Sequence, residues 1–279
     1  MTISPAVLYL LYPEWQGSGK SPAVQHGAIT IAREVFPDTA FLTIDSPGEE
    51  RLTRSEGVNG LASIGPRFRK AMAHLRAEAA DRILTIGGTC GVEAAPVGYL
   101  NERYGGDLAV VWLDAHGDLN TPESSPSGNF HGMVLRTLLG DGPAVFVSDL
   151  RRPLGPEQVF LACTRDLDPP EMEFISERGI ACTPPKELAE PRTLVERIRS
   201  RGFNHAYLHL DLDAVNPLDF PSTLIPTPGG PRLDEICGAM QTLAGAVDVV
   251  GFSILEYVHG DDASLNHLRK LVAACGLGV

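Results

Sequence analysis

The chain has 279 residues, 43% of them hydrophobic and 21% charged, enough for about one large α/β domain or two small ones with a sizeable core. No apolar stretch approaches the roughly 20 residues that a membrane span requires, so no membrane partner is expected. A net charge of −12 argues against binding nucleic acid, whose phosphate backbone calls for basic patches, and is compatible with a small cationic substrate.

The opening MTISPAVLYLLYPEW lacks a basic leader and a small-residue cleavage site, so it reads as a first strand over 6–12 rather than a signal peptide. A second strand is predicted over 40–44, followed by a polar loop, 45–57, too short for a domain linker. A helix over 64–80 leads to a strand over 82–88, and further strands are predicted over 108–116 and 158–164. Then come a helix (194–202), a strand (205–213), a helix (233–245), a strand (247–257) and a last helix (261–276) that opens on acidic residues and closes at Gly. Most strands are continuous apolar runs, as suits a sheet buried on both faces. This alternation predicts one α/β domain over 1–279, a three-layer α/β/α fold with a mostly parallel central sheet. The five cysteines (Cys90, Cys163, Cys182, Cys237, Cys275) are scattered, odd in number and without CxxC spacing. A disulfide framework is not expected, and a reducing cytoplasm is.

In such folds chemistry collects at the carboxyl ends of the strands. Three of the predicted strands end in ligand-type residues: Asp114-Ala-His116-Gly-Asp118, Asp211-Leu-Asp213 and Thr89-Cys90. Alternate residues of a strand point the same way, so D-x-H-x-D and D-x-D would each project their side chains together if the strands persist that far. Four carboxylates and an imidazole in one cleft raise one another's pKa unless a cation is bound. Carboxylates with some imidazole suit Mn²⁺, and bridging carboxylates suit a two-metal centre.

The block DAHGDLNTPESSPSGNFHG (114–132) resembles the signature of the ureohydrolases, and that of arginases in particular. GGTCG (87–91), RDLDPPE (165–171), LHLDLDAVNP (208–217) and SILEY (253–257) follow in the family's order. The resemblance implies an arginase-like fold, two Mn²⁺ ions with a bridging hydroxide, and hydrolysis of a small guanidino compound to urea and an amine. It also implies a homo-oligomer, trimer or hexamer. Carried over by motif, Asp114, His116, Asp118, Asp211 and Asp213 resemble the metal ligands. His131 resembles the proton-shuttle histidine, and Glu256 the acid that pairs with the guanidinium. Asn120, Ser125, Ser127 and Asn129 resemble the loop that holds an α-carboxylate, and Asp168 and Glu171 the contacts to an α-amino group. The same residues are also ordinary turn formers. With these contacts the expected substrate is L-arginine or a close derivative.

The sequence departs from the family at GGTC, where Cys90 stands at the position of a metal-binding His and Thr89 at that of an Asp. Three chemistries are open to Cys90: a thiolate ligand, which favours softer metals than Mn²⁺, a thiol beside a site completed by water, or a small buried apolar residue. The site nearer Cys90 is therefore expected to hold metal weakly or to select a different one, giving one or two bound ions. His209 stands where the family has Ser, and is read as packed in the sheet or behind the ligands. Asn216 replaces a common Asp. Relatives with Cys at this position include N-hydroxyarginine hydrolases that release hydroxyurea, although those do not generally keep the SGNFHG histidine. The competing readings are that hydroxyarginine hydrolase, a metal-dependent amide hydrolase of the deacetylase type, and a catalytically impaired relative that binds a ligand or partner.

Overall fold

The computed structural model describes residues 6–19, 22–258 and 260–279. The first five residues of the opening segment lie outside them. Among the described residues there are ten strands: β1 (Val7–Tyr12), β2 (Leu42–Thr43), β3 (Arg54–Ser55), β4 (Val58–Asn59), β5 (Arg82–Gly87), β6 (Ala109–Leu113), β7 (Val159–Ala162), β8 (Ala181–Thr183), β9 (His205–Asp211) and β10 (Asp248–Leu255). The helices are α1 (Ala23–Val35), α2 (Leu61–Glu78), α3 (Ala94–Arg103), α4 (Val134–Leu138), α5 (Ala144–Val147), α6 (Pro169–Arg178), α7 (Arg192–Ser200), α8 (Leu233–Ala244) and α9 (Asp262–Ala274). Eight strands form one sheet in the order β2-β1-β5-β10-β9-β6-β7-β8, and each of its pairings is parallel. The small β3–β4 hairpin stands apart, inside and just beyond the segment read as a loop.

The sheet is covered on both faces, which is why its strands are apolar without a break. Along β6, Ala109, Val111 and Leu113 join the core shared with α1, α7, α8 and α9. Val110 and Trp112 face the opposite core, with α2 to α5. This is the period-2 alternation of a strand with two buried faces. The helices show the complementary stripe: α2 buries Leu61, Ile64, Phe68, Met72 and Leu75, and α8 buries Leu233, Ile236, Met240 and Leu243. Asp261 caps α9 by accepting the Ser264 backbone N–H at 3.0 Å, so the acidic opening read from the sequence is a cap. The three-layer α/β/α architecture follows.

Gly27 in α1 lies against the backbone of Tyr257, where a Cβ would come within 1.8 Å of the carbonyl oxygen. Gly27→Ala is expected to cost about 1–3 kcal/mol through overpacking, read from the urea unfolding midpoint. An unchanged midpoint would mean that the chain beyond β10 yields freely.

Candidate metal centre and active site

The turns that follow β5, β6, β7, β9 and β10 meet at the carboxyl edge of the sheet. They enclose a cavity of about 180 Å³ lined by residues that include Cys90, His116, Asp118, His131, Asp211, Asp213 and Glu256. The strands do not persist into the ligand runs, contrary to the alternation expected from the sequence. β6 ends at Leu113, and the chain turns so that the His116 N–H donates to Asp114 Oδ1 at 2.6 Å. β9 ends at Asp211, whose Oδ1 accepts the Asp213 N–H at 2.8 Å. Short carboxylates compete for their own backbone donors and break the ladder there. Asp118 is left-handed (φ 53°), as is Glu256 (φ 63°), a strained conformation for a side-chain-bearing residue that concentrates at functional sites. Convergence is achieved by these turns.

His116 Nδ1 lies 2.9 Å from Asp213 Oδ2 and 3.5 Å from Asp114 Oδ1. Asp114 Oδ2 also accepts the Trp112 indole N–H at 3.1 Å. Burial works against the charge on Asp114, but hydrogen bonds from His116 and His209 outweigh it and hold its pKa low. Burial likewise opposes a charged His116, yet Asp114 and Asp213 push it up to about 12. Burial and then Asp114 push Asp118 well up, burial and then Asp213 do the same to Asp211, and burial with Asp114 raises Asp213 to about 6. Burial and then Asp211 raise the Cys90 thiol, which donates to Asp211 Oδ2 at 3.2 Å.

The donor set fits divalent cations. The ligand atoms of Asp114, His116 and Asp213 lie within 4.8 Å of one another, and Cys90, Asp211 and Glu256 form a second such group. Asp118 Oδ2 and Glu256 Oε2 are buried without a hydrogen-bond partner, an arrangement that costs free energy unless a bound group completes it. The other Glu256 oxygen accepts the Cys90 N–H at 3.0 Å and faces His131 Nδ1 at 3.1 Å.

The polar loop after β6 forms the mouth. Asn120, Ser125, Ser127, Asp168 and Glu171 line the cavity, whereas Asn129 does not. Its side chain is turned to Asn59, which donates to Asn129 Oδ1 at 2.8 Å. Asp168 accepts from Asn120 at 2.9 Å. Glu171 accepts the Leu119 N–H at 2.8 Å and the Asp168 N–H at 2.9 Å, so it braces α6 against the ligand loop. Ile225 and Asp166 also line the cavity and were not singled out in the sequence. Beneath the floor lie Glu93 and His209, both fully buried. His209 shares its β9 face with Asp211, so the same period-2 argument points to it.

The sequence profile of the arginase family matches residues 53–267. A Staphylococcus aureus arginase is 37% identical over 201 residues, covering 69% of this chain and 66% of the relative. The matched stretches thus span somewhat less than two thirds of the length of such relatives, 59% in another S. aureus strain. Arginase from Bacillus caldovelox has the same fold (TM-score 0.80, 26% identity, 99% of both chains). So does an Entamoeba histolytica arginase in complex with L-ornithine (TM-score 0.88, 22% identity, 98% of both chains). With most of its length matched by the profile, and with the order of its motifs kept, the chain belongs to the arginase family.

Proposed function

We propose that the chain is a metal-dependent amidinohydrolase that splits a guanidino compound, L-arginine or a close derivative, into urea and an amine. The observation that carries this reading is the convergence of His116, Asp118, Asp211 and Asp213 on one small cavity, with Asp114 behind them against His116 and Asp213, and with a buried carboxylate oxygen left unpartnered. The curated relatives at 35–37% identity are named arginases, which supports it. Asp114, His116 and Asp213 would hold one cation, and Asp118 and Asp211 would contribute to a second, with Asp114 and Asp211 shared. Mn²⁺ suits such hard donors. Divalent cations at this place lower the pKa of water and supply a nucleophile near neutral pH.

The chain's own residues orient the substrate. The free Oε2 of Glu256 offers an acceptor to a guanidinium N–H, while its Oε1 holds His131. His131 would protonate the departing amine as a general acid. Asn120, Ser125 and Ser127 would meet an α-carboxylate, and Asp168 an α-amino group, with Glu171 fixing that wall. Asn129 stands off the cavity and has no part in this reading. The cavity is smaller than the roughly 300–1,000 Å³ of pockets for drug-sized ligands, which favours a single amino acid. The same proposal includes one arginase-like domain, a cytoplasmic setting and a homo-oligomer, the last checked by light scattering.

Cys90 favours a second reading, hydrolysis of N-hydroxyarginine to hydroxyurea. Both are tested by following urea and hydroxyurea release after Mn²⁺ reconstitution, with L-arginine, N-hydroxyarginine, agmatine and 4-guanidinobutyrate side by side. Turnover confined to the α-amino acids is the expected result. Equal turnover of agmatine would refute the roles at the mouth. Silence on all four, persisting with Co²⁺, Ni²⁺, Zn²⁺ and Fe²⁺, would refute the hydrolase and leave a binding protein.

A further inference from the structure

Cys90, at the floor of the cavity, meets His209 just beneath it, both essentially excluded from solvent (2% and 0% exposed). Cys90 opens the turn after β5, and His209 stands two residues before Asp211 on β9. Cys90 Sγ is 3.8 Å from His209 Nε2, which is 3.4 Å from Asp114 Oδ2. Ligand atoms from Cys90, Asp114, Asp118 and His209 all lie within 4.8 Å of one another. Bonds of about 2.3 Å to sulfur and about 2.0 Å to nitrogen or oxygen place the ligands of a tetrahedral ion roughly 3.3–3.6 Å apart. The Cys90–His209 and His209–Asp114 separations are near that spacing as they stand, and the unpartnered Asp118 Oδ2 belongs to one of the four residues.

The far side of the imidazole supplies an independent observation. His209 Nδ1 faces Glu93 Oε2 at 3.3 Å. Glu93 is itself fixed by the Tyr207 hydroxyl and the Ser253 hydroxyl, each donating at 3.1 Å. A metal-binding histidine characteristically donates its second ring N–H to such a carboxylate, which sets the tautomer and aims the other nitrogen at the ion. Trp112 stacks on the ring at 3.4 Å and 5°, fixing its plane.

We propose that Cys90, His209, Asp114 and Asp118 form a thiolate–imidazole–carboxylate metal subsite for a borderline divalent ion such as Zn²⁺ or Co²⁺, with Glu93 as its positioning residue. The subsite deepens the metal-centre reading above and rests on it. Two of the departures from the family pattern, Cys90 and His209, become one change: the imidazole missing from the turn after β5 is supplied from β9. Sulfur and nitrogen donors shift the preference away from Mn²⁺, and the Cys90 thiol gives up its proton to solvent as the ion binds.

The test is an anaerobic Co²⁺ titration of the metal-stripped full chain, followed by absorption. Wild type is expected to show a thiolate-to-cobalt charge-transfer band that Cys90→Ser lacks. Glu93→Gln is expected to keep the band but to need about 10–100-fold more Co²⁺. X-ray absorption with one equivalent of Zn²⁺ on wild type, which needs no substitution, should place sulfur and imidazole nitrogen around the same ion. His209→Asn should remove that nitrogen. A titration without the band, a Zn²⁺ shell without sulfur, or a shell unchanged by His209→Asn overturns the subsite. Urea release without the band would reject the subsite and leave the hydrolase standing. The band without turnover of any guanidino compound would keep the subsite and reject the hydrolase.

Discussion

Asp213→Asn is expected to abolish urea release, to lose at least one bound cation, and yet to stabilise the metal-free protein above neutral pH. The carboxyl of Asp213 is held up at about 6 in the metal-free fold, against an ordinary 3.8, first by burial and then by Asp114. The folded chain therefore binds this proton more tightly than the unfolded chain does. Its contribution to stability is fully present below pH 3.8 and is lost as the pH rises to about 6. The loss amounts to about 3 kcal/mol. An amide removes this titration while its oxygen still accepts the Ala115 N–H, which Asp213 Oδ1 takes at 3.0 Å. Urea unfolding of wild type and variant should thus diverge between about pH 4 and pH 7, with the variant the more stable at the upper end. Mn²⁺ should raise the stability of wild type far more than that of the variant. Parallel pH profiles would refute the raised carboxyl of Asp213, and equal gains from Mn²⁺ would refute its cation-binding role.

His131→Ala is expected to separate rate from metal. His131 lines the cavity, is half-buried, and is absent from each cluster of candidate metal donors among the described residues. Its Nδ1 is held by Glu256, so the ring is oriented towards the substrate space without contributing to cation affinity. Losing a general acid lowers turnover by about 10²–10⁴-fold. The metal content of the purified variant should match wild type, KM should move little, and added imidazole should restore part of kcat. Loss of metal along with rate would make His131 a ligand instead, and wild-type turnover across the pH range would end the proton-transfer assignment.

The apolar runs carried most of the sheet because both of its faces are buried. AVVWL and HAYLHLD begin within one residue of the predicted strands and end two or three residues before them. β8 escaped notice because ACT (181–183) is short and partly exposed at the sheet edge, and the β3–β4 hairpin because two-residue strands of polar sequence carry no period. The site was legible as a set of residue types in motif order. Its geometry was not: the D-x-H-x-D and D-x-D runs suggested strand alternation, whereas Asp114 and Asp211 turn the chain by binding their own backbone. Asn129 looked equivalent to Ser125 and Ser127, but a distant partner, Asn59, decides where it points. Glu93 was invisible for the same reason, since its partners Tyr207, His209 and Ser253 come from strands more than a hundred residues later.

The strand order also governs how the molecule is made. β10, the last strand in sequence, pairs with β5 on one side and β9 on the other. Without it the sheet falls into β2-β1-β5 and β9-β6-β7-β8, with no pairing between them. A nascent chain that has emerged from the ribosome as far as Val247 carries every Asp and His side chain of the cluster on the β9-β6-β7-β8 ribbon, whereas Cys90 is on the separate β2-β1-β5 ribbon and Glu256 has not emerged. The donor group of Cys90, Asp211 and Glu256 is therefore completed in one late step, when the keystone strand enters. Such non-local closure is slow and open to aggregation, so Cys90 cannot join the carboxylates, and Glu256 cannot reach His131, before synthesis is nearly complete.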